Sequence, residues 1–256
     1  MSNTAKGKLY LVPAPLDFGC TALAPLQDVM PLGTLSIAAG LSNWVCENAK
    51  STRAYLKRIN EFQPLATPVQ AQQIQELPRE VHKKGDHAAG QFDARPLLAA
   101  ALQGIDIGLV SEAGMPAIAD PGSSVVRAAH DLGLQVVALT GPMSLMLALA
   151  ASGLNGQSFA FVGYLPQDTG GRAQRIRELE SLALKTGQTQ IFIETPYRNA
   201  ALLQALVQTL HGNTRLALSC GLTLENSASR SALVSGWKRD KPVLPLDLPT
   251  VFCLGR

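Results

Sequence analysis

Between residues 106 and 152 the chain alternates twice between a short aliphatic run and a helical stretch. DIGLV at 106–110 precedes a helix over 123–132, closed by Gly133. LQVVAL at 134–139 precedes an apolar helix over 144–152, entered through Gly141 and Pro142. Two parallel strands cannot be joined by a tight turn and need a crossover of about a dozen residues, commonly a helix. This order therefore specifies an α/β fold with a parallel sheet. KLYLV at 8–12 supplies an earlier strand, stopped by Pro13 and Pro15, which cannot continue a ladder. Residues 16–34 read as a loop with short helical pieces. Residues 36–48 read as a helix running into a strand near Asn43–Cys46. Helices are expected over 51–58, 68–77 and 96–103, the last with Pro96 at its start.

The pattern breaks at Gly153-Leu154-Asn155-Gly156 and begins again. Strands are expected at 159–163, 190–194, 215–219 and 250–254, with helices over 172–183 and 199–210. Two α/β domains follow, 1–155 and 156–256. Of the 256 residues, 46% are hydrophobic and 16% charged, which excludes a disordered chain and a coiled coil. The net charge of +3 is too small to announce a nucleic-acid binder, so only a local patch could. Lys50, Arg53 and Lys57 share one helical face. Arg172, Arg175 and Arg177 form a second cluster, and Arg79, Lys83 and Lys84 a third. Each also reads as an ordinary solvated face. Aromatic residues are 5%, which argues against an extensive base-stacking surface. The four cysteines lack metal-ligand spacing and read as thiols in a reducing compartment. Residues 1–8 hold no apolar signal core, and the apolar run 145–151 is too short to span a bilayer. A soluble, cytoplasmic protein without a membrane segment is expected.

No GxGxxG follows the first strand, and no GxxxxGK[ST] or GxSxG occurs. Dinucleotide, P-loop and hydrolase-elbow chemistry are thereby disfavoured. What stands out is LVSEAGMPAIADPG at 109–122, which leaves a buried strand and enters a helix. That is the carboxyl edge of the sheet, where open α/β sheets bind ligands. Gly114, Pro116, Pro121 and Gly122 shape the backbone, and small residues let a ligand approach the main chain. Asp120 is expected to cap the next helix. A second strand-to-helix junction at 139–154 places Met143 and Ser144 in a first turn. A third, IFIETPYRN at 191–199, ends a strand at Glu194, which suits a ligand or a helix cap equally.

VPAP at 12–15, EAGMPAIADPG at 112–122, TGP at 140–142 with ASGL at 151–154, FAFVGYLP at 159–166 and IFIETPYR at 191–198 stand in one order along the chain. Together they resemble the tetrapyrrole methylase superfamily, the class III S-adenosylmethionine (SAM) methyltransferases, and most of all its branch acting on small-subunit ribosomal RNA. The resemblance implies an enzyme of two α/β domains with one SAM in the cleft between them, usually as a homodimer. SAM carries no phosphate, which accounts for the missing phosphate loop. Carried over residue by residue, the cofactor contacts fall on Pro15, Ala113, Gly114, Met115, Ile118, Met143, Ser144, Glu194 and Leu222. No metal is implied and no catalytic residue is assigned; Glu47 and Glu194 are candidate proton acceptors. The implied reaction is 2'-O-methylation of a cytidine ribose, with RNA or the small ribosomal subunit as partner. A methyltransferase of a tetrapyrrole or other small molecule, and a SAM-binding module without catalysis, stand beside it. Residues 46–59, CENAKSTRAYLKRI, keep the branch's Glu (Glu47) and Arg (Arg53) only at a longer spacing. Residues 219–227, SCGLTLENS, lack its Arg and Lys.

Overall fold

The computed structural model describes residues 5–84, 86, 92–240 and 243–256. They divide into two units, Met1–Phe18 with Ala24–Pro142, and Gly19–Leu23 with Met143–Arg256. The strands of the first unit are β1 (Lys8–Leu11), β2 (Asn43–Cys46), β3 (Gln73–Glu76), β4 (Ile107–Val110) and β5 (Gln135–Ala138). Its helices are α1 (Leu26–Val29), α2 (Leu32–Gly40), α3 (Ala49–Asn60), α4 (Arg79–Lys84), α5 (Ala99–Leu102) and α6 (Ser123–Asp131). The strand order is β3-β2-β4-β1-β5, and every pair is parallel.

Both faces of this sheet are buried, as a parallel sheet requires. Trp44, Cys46 and Val110 pack with Leu35 and Ala38 of α2 and with Leu56 and Ile59 of α3. Their neighbours Val45, Ile107 and Leu109 point the other way, onto Leu98, Ala101, Val125 and Ala129. Gly108 makes room for an indole: a Cβ there would lie 2.5 Å from the Trp44 ring.

The helix expected over 68–77 is absent. A 3-10 turn, Val69–Ala71, leads into β3 at the sheet edge. Long-range bonds override the local pattern: Gln73 N donates to Ser42 O at 2.9 Å and Leu77 N to Cys46 O at 2.8 Å. Trp44 Nε1 donates to Gln72 Oε1 at 2.9 Å and fixes the approach. The helix expected over 96–103 opens as a 3-10 turn, Arg95–Leu98, before α5.

The second unit holds α7 (Ser144–Ser152), β6 (Phe159–Tyr164), α8 (Thr169–Thr186), β7 (Thr189–Glu194), α9 (Asn199–Thr209), β8 (Arg215–Cys220), β9 (Ala228–Leu233), α10 (Val234–Arg239) and β10 (Thr250–Gly255). Its order is β6-β7-β10-β8-β9. Only β6 and β7 run parallel; the other pairs are antiparallel. β9 and α10 have no counterpart in the sequence reading, because ASRSAL is a polar edge strand without apolar alternation. On one face, Leu145, Ala148 and Leu149 of α7 pack on Ile191, Ala217, Val251 and Cys253. On the other, α8 and α9 cover Phe192 and Phe252, whose rings stack 5.7 Å apart. Among the described residues, no helix is long and apolar enough to cross a membrane.

Candidate functional site

In the first unit the sequence-predicted loops are joined. Ala14 and Gly114 form an isolated antiparallel bridge, each N donating to the other's O at 2.9 Å. The bridge sets Pro15 beside the loop that carries Ala113, Gly114, Met115 and Ile118. Gly114 sits at φ +71°, where a Cβ would lie 3.3 Å from Leu16 Cδ2. Ala117 and Ala119 both take φ 65°, a conformation that costs an L residue roughly 1–2 kcal/mol. Ile118 between them is 41% exposed. At the start of the loop, Ser111 Oγ is buried with no hydrogen-bond partner among the described residues.

The loop leaves into α6, and its cap differs from the sequence expectation. Asp120 does not cap the helix. The amides of Gly122 and Ser124 both donate to Asp86 Oδ2 at 2.9 Å. The hydroxyls of Ser123 and Ser124 donate to the same carboxylate at 2.8 and 2.6 Å, and Arg127 Nη2 donates to the Asp86 carbonyl at 2.9 Å. Burial pushes this carboxyl up, but these hydroxyls and amides outweigh it and hold it below the usual range. Nothing local marks Asp86 as a cap, since it lies 36 residues upstream of Gly122.

Asp120 has another role. Burial, then the negative charges of Glu47 and Glu112, push its carboxyl up to about 7. Glu47 and Glu112 line a cavity of about 320 Å³ with Asn48, Glu76, Leu77 and Arg79. These residues lie at the carboxyl ends of β2, β3 and β4. Glu112 Oε1 accepts from Ser51 Oγ at 3.3 Å, and Glu76 Oε1 from the Ala49 amide at 2.6 Å. Among the described residues, no group of His, Cys, Asp and Glu could hold a metal ion.

The remaining predicted contacts lie in the second unit. Met143 precedes α7 and Ser144 is its first residue. Met143, Leu222 and Ile193 pack against one cluster with Leu145 and Val251. Leu222 stands in a strained turn, between Gly221 at φ +58° and Thr223 at φ +72°. Thr223 Oγ1 is buried with no hydrogen-bond partner among the described residues. Thus every non-glycine residue at positive φ among those described adjoins a sequence-predicted cofactor contact. Such outliers cluster at ligand sites because the surroundings must hold them there. Glu194 is buried at the end of β7, and its Oε1 accepts from Thr195 N at 2.7 Å and from Arg198 Nε and Nη2 at 3.0 and 2.8 Å. Burial pushes this carboxyl up, but the Arg198 guanidinium and the Thr195 amide outweigh it and hold the group ionised.

Of the predicted basic clusters, Lys50, Arg53 and Lys57 are all exposed on α3. Arg58 is turned inward, donating to both Asp17 carboxylate oxygens at 3.0 and 2.9 Å and to Ala24 O at 2.7 Å, a structural role. Arg175 pairs with Glu178 at 3.2 Å. The side chains of Lys83 and Lys84 lie outside the described residues.

A family model described as Tetrapyrrole (Corrin/Porphyrin) Methylases matches residues 43–235. The chain is 34% identical over 216 residues to "Ribosomal RNA small subunit methyltransferase I" of Mesorhizobium japonicum, covering 84% of this chain and 63% of that one. It is 36% identical over 222 residues to the protein of the same name from Escherichia coli O157:H7, covering 87% and 68%. The chain thus spans about two thirds of the length of these relatives. The solved structure of the methyltransferase CobJ superposes with a TM-score of 0.56 at 17% identity, covering 98% of this chain and 94% of that one. At that identity the likeness concerns the fold.

Proposed function

The chain belongs to the tetrapyrrole (corrin/porphyrin) methylase family, and on that premise we propose that it is a SAM-dependent methyltransferase acting on small-subunit ribosomal RNA, at the 2'-hydroxyl of a cytidine. The observation that carries the cofactor assignment is the strain beside the expected contacts, at Ala117, Ala119 and Thr223. The buried, unpartnered hydroxyls of Ser111 and Thr223 support it, because such groups call for a ligand or water. Pro15, Ala113, Gly114, Met115 and Ile118 are the contacts proposed in the first unit. Met143, Ser144, Glu194 and Leu222 are those proposed in the second. SAM, when bound, supplies an electrophilic methyl group on a sulfonium. The small-residue loop around Gly114 offers main-chain groups to a nucleoside, and Glu194, paired with Arg198 at 2.8 Å, is held ionised with little affinity for a proton. Glu194 is accordingly a poor base. Asp120, with its carboxyl near 7, is matched to accept the proton of a hydroxyl at neutral pH. Burial, and then the charges of Glu47 and Glu112, keep that proton affinity high. The family resemblance supports a homodimer working in the cytoplasm, and sedimentation at equilibrium checks the assembly.

The deciding experiment is transfer of radiolabelled methyl from SAM to unmodified small ribosomal subunits, free ribosomal RNA and a tetrapyrrole precursor in parallel. Label in the RNA is the expected result. Label confined to the tetrapyrrole, or SAM binding with no transfer at all, would replace this reading. Two variants probe its parts. Gly114→Trp must place an indole at φ +71° in a tight loop. It is expected to weaken SAM binding more than tenfold by titration calorimetry, or about 1.4 kcal/mol. Undiminished affinity in a folded variant would move the cofactor away from this loop. Reversing Lys50, Arg53 and Lys57 to Glu is expected to weaken RNA binding steeply at low salt. Each phosphate deprived of its lysine or arginine should flatten the salt slope by roughly 0.7–0.9. An unchanged slope would remove α3 from the RNA interface.

A further inference from the structure

The carboxyl ends of β6 and β7 carry side chains that the proposed cofactor contacts leave unused. The two strands run parallel and end at the same edge of the second sheet. Their register shifts between Phe161 and Tyr164, where Gly163 takes φ +73°. A bulge of this kind re-aims the residue beside it. Tyr164, paired with Ile193, is left 57% exposed. Beyond β7, the 3-10 turn Pro196–Arg198 holds out Tyr197, 79% exposed. Phe18, Phe62 and Phe159 are exposed as well, but Tyr164 and Tyr197 are the two most exposed aromatics among the described residues.

Arg198 stands over one of the two rings. Its Cζ lies 5.0 Å from the Tyr197 ring centroid, and both phenols lie within electrostatic reach of its guanidinium. Glu194 anchors the same guanidinium from below, at 2.8 Å, so Arg198 braces a ring while its charge is largely balanced. A second guanidinium stands nearby. Arg172 donates to the Pro166 carbonyl at 3.2 Å and to the Gln167 carbonyl, two and three residues past Tyr164. Among the described residues it forms no ion pair with a carboxylate.

We propose that Tyr164 and Tyr197, braced by Arg198 and flanked by Arg172, form a stacking platform for unpaired bases of single-stranded RNA. The proposal rests on the RNA reading above and deepens it. Two exposed aromatic faces with one balanced and one unbalanced cation match bases joined by phosphates: rings stack on the tyrosines, and Arg172 meets the backbone. A tetrapyrrole with several carboxylates would ask for more unbalanced cations than this edge offers. The platform is small, which reconciles it with an aromatic content of 5%.

The test is fluorescence anisotropy with a labelled oligouridylate of about 12 nucleotides, within the range such surfaces cover. Wild type is compared with Tyr164→Ala, Tyr197→Ala, the double variant, the two Trp variants and Arg172→Gln. Each Ala change is expected to weaken binding roughly 5- to 150-fold, the range for loss of one base–aromatic stack, and Trp to restore it. The Ala variants should leave the salt slope unchanged, since a ring releases no counterions, whereas Arg172→Gln should flatten it by about 0.7. SAM affinity, measured alongside, should not move. Unchanged RNA affinity in the Ala variants, loss of SAM affinity instead, or a wild type that ignores the oligonucleotide would each overturn the platform. If the platform fails while wild type still methylates small subunits, the proposed function survives it. If wild type methylates only the tetrapyrrole yet binds RNA through these tyrosines, the platform survives the function.

Discussion

Asp86→Ala is expected to destabilise the protein by about 3 kcal/mol or more. The carboxylate is 3% exposed and accepts from two main-chain amides and two hydroxyls at the start of α6. Its loss leaves the Gly122 and Ser124 amides without a partner in a buried place. Hydrogen bonds to a charged group are each worth about 1.5–3 kcal/mol, and they do not add fully. For a chain of this size, each kcal/mol lowers the midpoint of thermal unfolding by about 2–4 °C, so a fall near 10 °C follows. Asp86→Asn, which keeps shape and one acceptor, should lose less. The sign of the pH effect is fixed by the lowered carboxyl. Its contribution is present above the unfolded value of 3.8 and is lost as pH falls through the lower folded value. Chemical denaturation at neutral pH and near pH 3 checks this: the gap between wild type and Asp86→Ala should narrow in acid. An equal gap at both would show that Asp86 acts by packing alone. Because Gly122 ends the loop that begins at Ser111, the variant should also raise the KM for SAM.

Asp120→Asn is expected to do the reverse. A carboxyl raised to about 7 keeps its proton in the folded chain where the unfolded chain has lost it. The Asp120 contribution to stability is therefore greatest below about pH 4, declines as pH rises towards 7, and is level above. Three pKa units correspond to about 4 kcal/mol at the upper limit. The Asn variant cannot ionise, so it should gain up to that amount at pH 8 and nothing at pH 4, as urea unfolding would record. A wild type and variant with parallel pH profiles would contradict the raised carboxyl. On the proposed role of Asp120 as proton acceptor, the same variant should also lose methyl transfer. Stability gained at the expense of activity is the usual mark of a site under electrostatic strain.

The central strands β2 and β4 of the first sheet are legible in the sequence because they are buried and largely apolar. The loops are legible because their glycines and prolines serve backbone conformations that few other residues adopt, as at Gly114. The apolar helix α7 follows from its composition alone. What fails is what depends on a partner far along the chain. Residues 73–76 read as part of a helix over 68–77, and become β3 because the amides of Gln73 and Leu77 donate to the Ser42 and Cys46 carbonyls. Residues 228–233 become β9 because β8 has an open edge. The mixed direction of the second sheet cannot be read from periodicity, since parallel and antiparallel strands share a period of two.

The same division runs through the candidate site. Which residues border the loops is a local property, and the motifs from Pro15 to Glu194 state it, whereas Leu222 lies in a stretch that departs from the family's pattern. What those residues do chemically is not local. The sequence marks Asp120 as a helix cap, yet burial and then the charges of Glu47 and Glu112 raise its proton affinity, and a distant Asp86 holds the helix instead. Arg58 stands among the cations of α3, yet Asp17 draws it inward. Tyr164 and Tyr197 lie in quoted motifs, but only a bulge and a 3-10 turn in the tertiary structure turn them outward. By itself the sequence determined the alternation of elements, the Gly- and Pro-shaped loops proposed to hold the cofactor and the family, because propensity and turn chemistry act over a few residues. Strand pairing, burial and charge environment belong to the tertiary structure, because each is set by groups that only folding brings within reach.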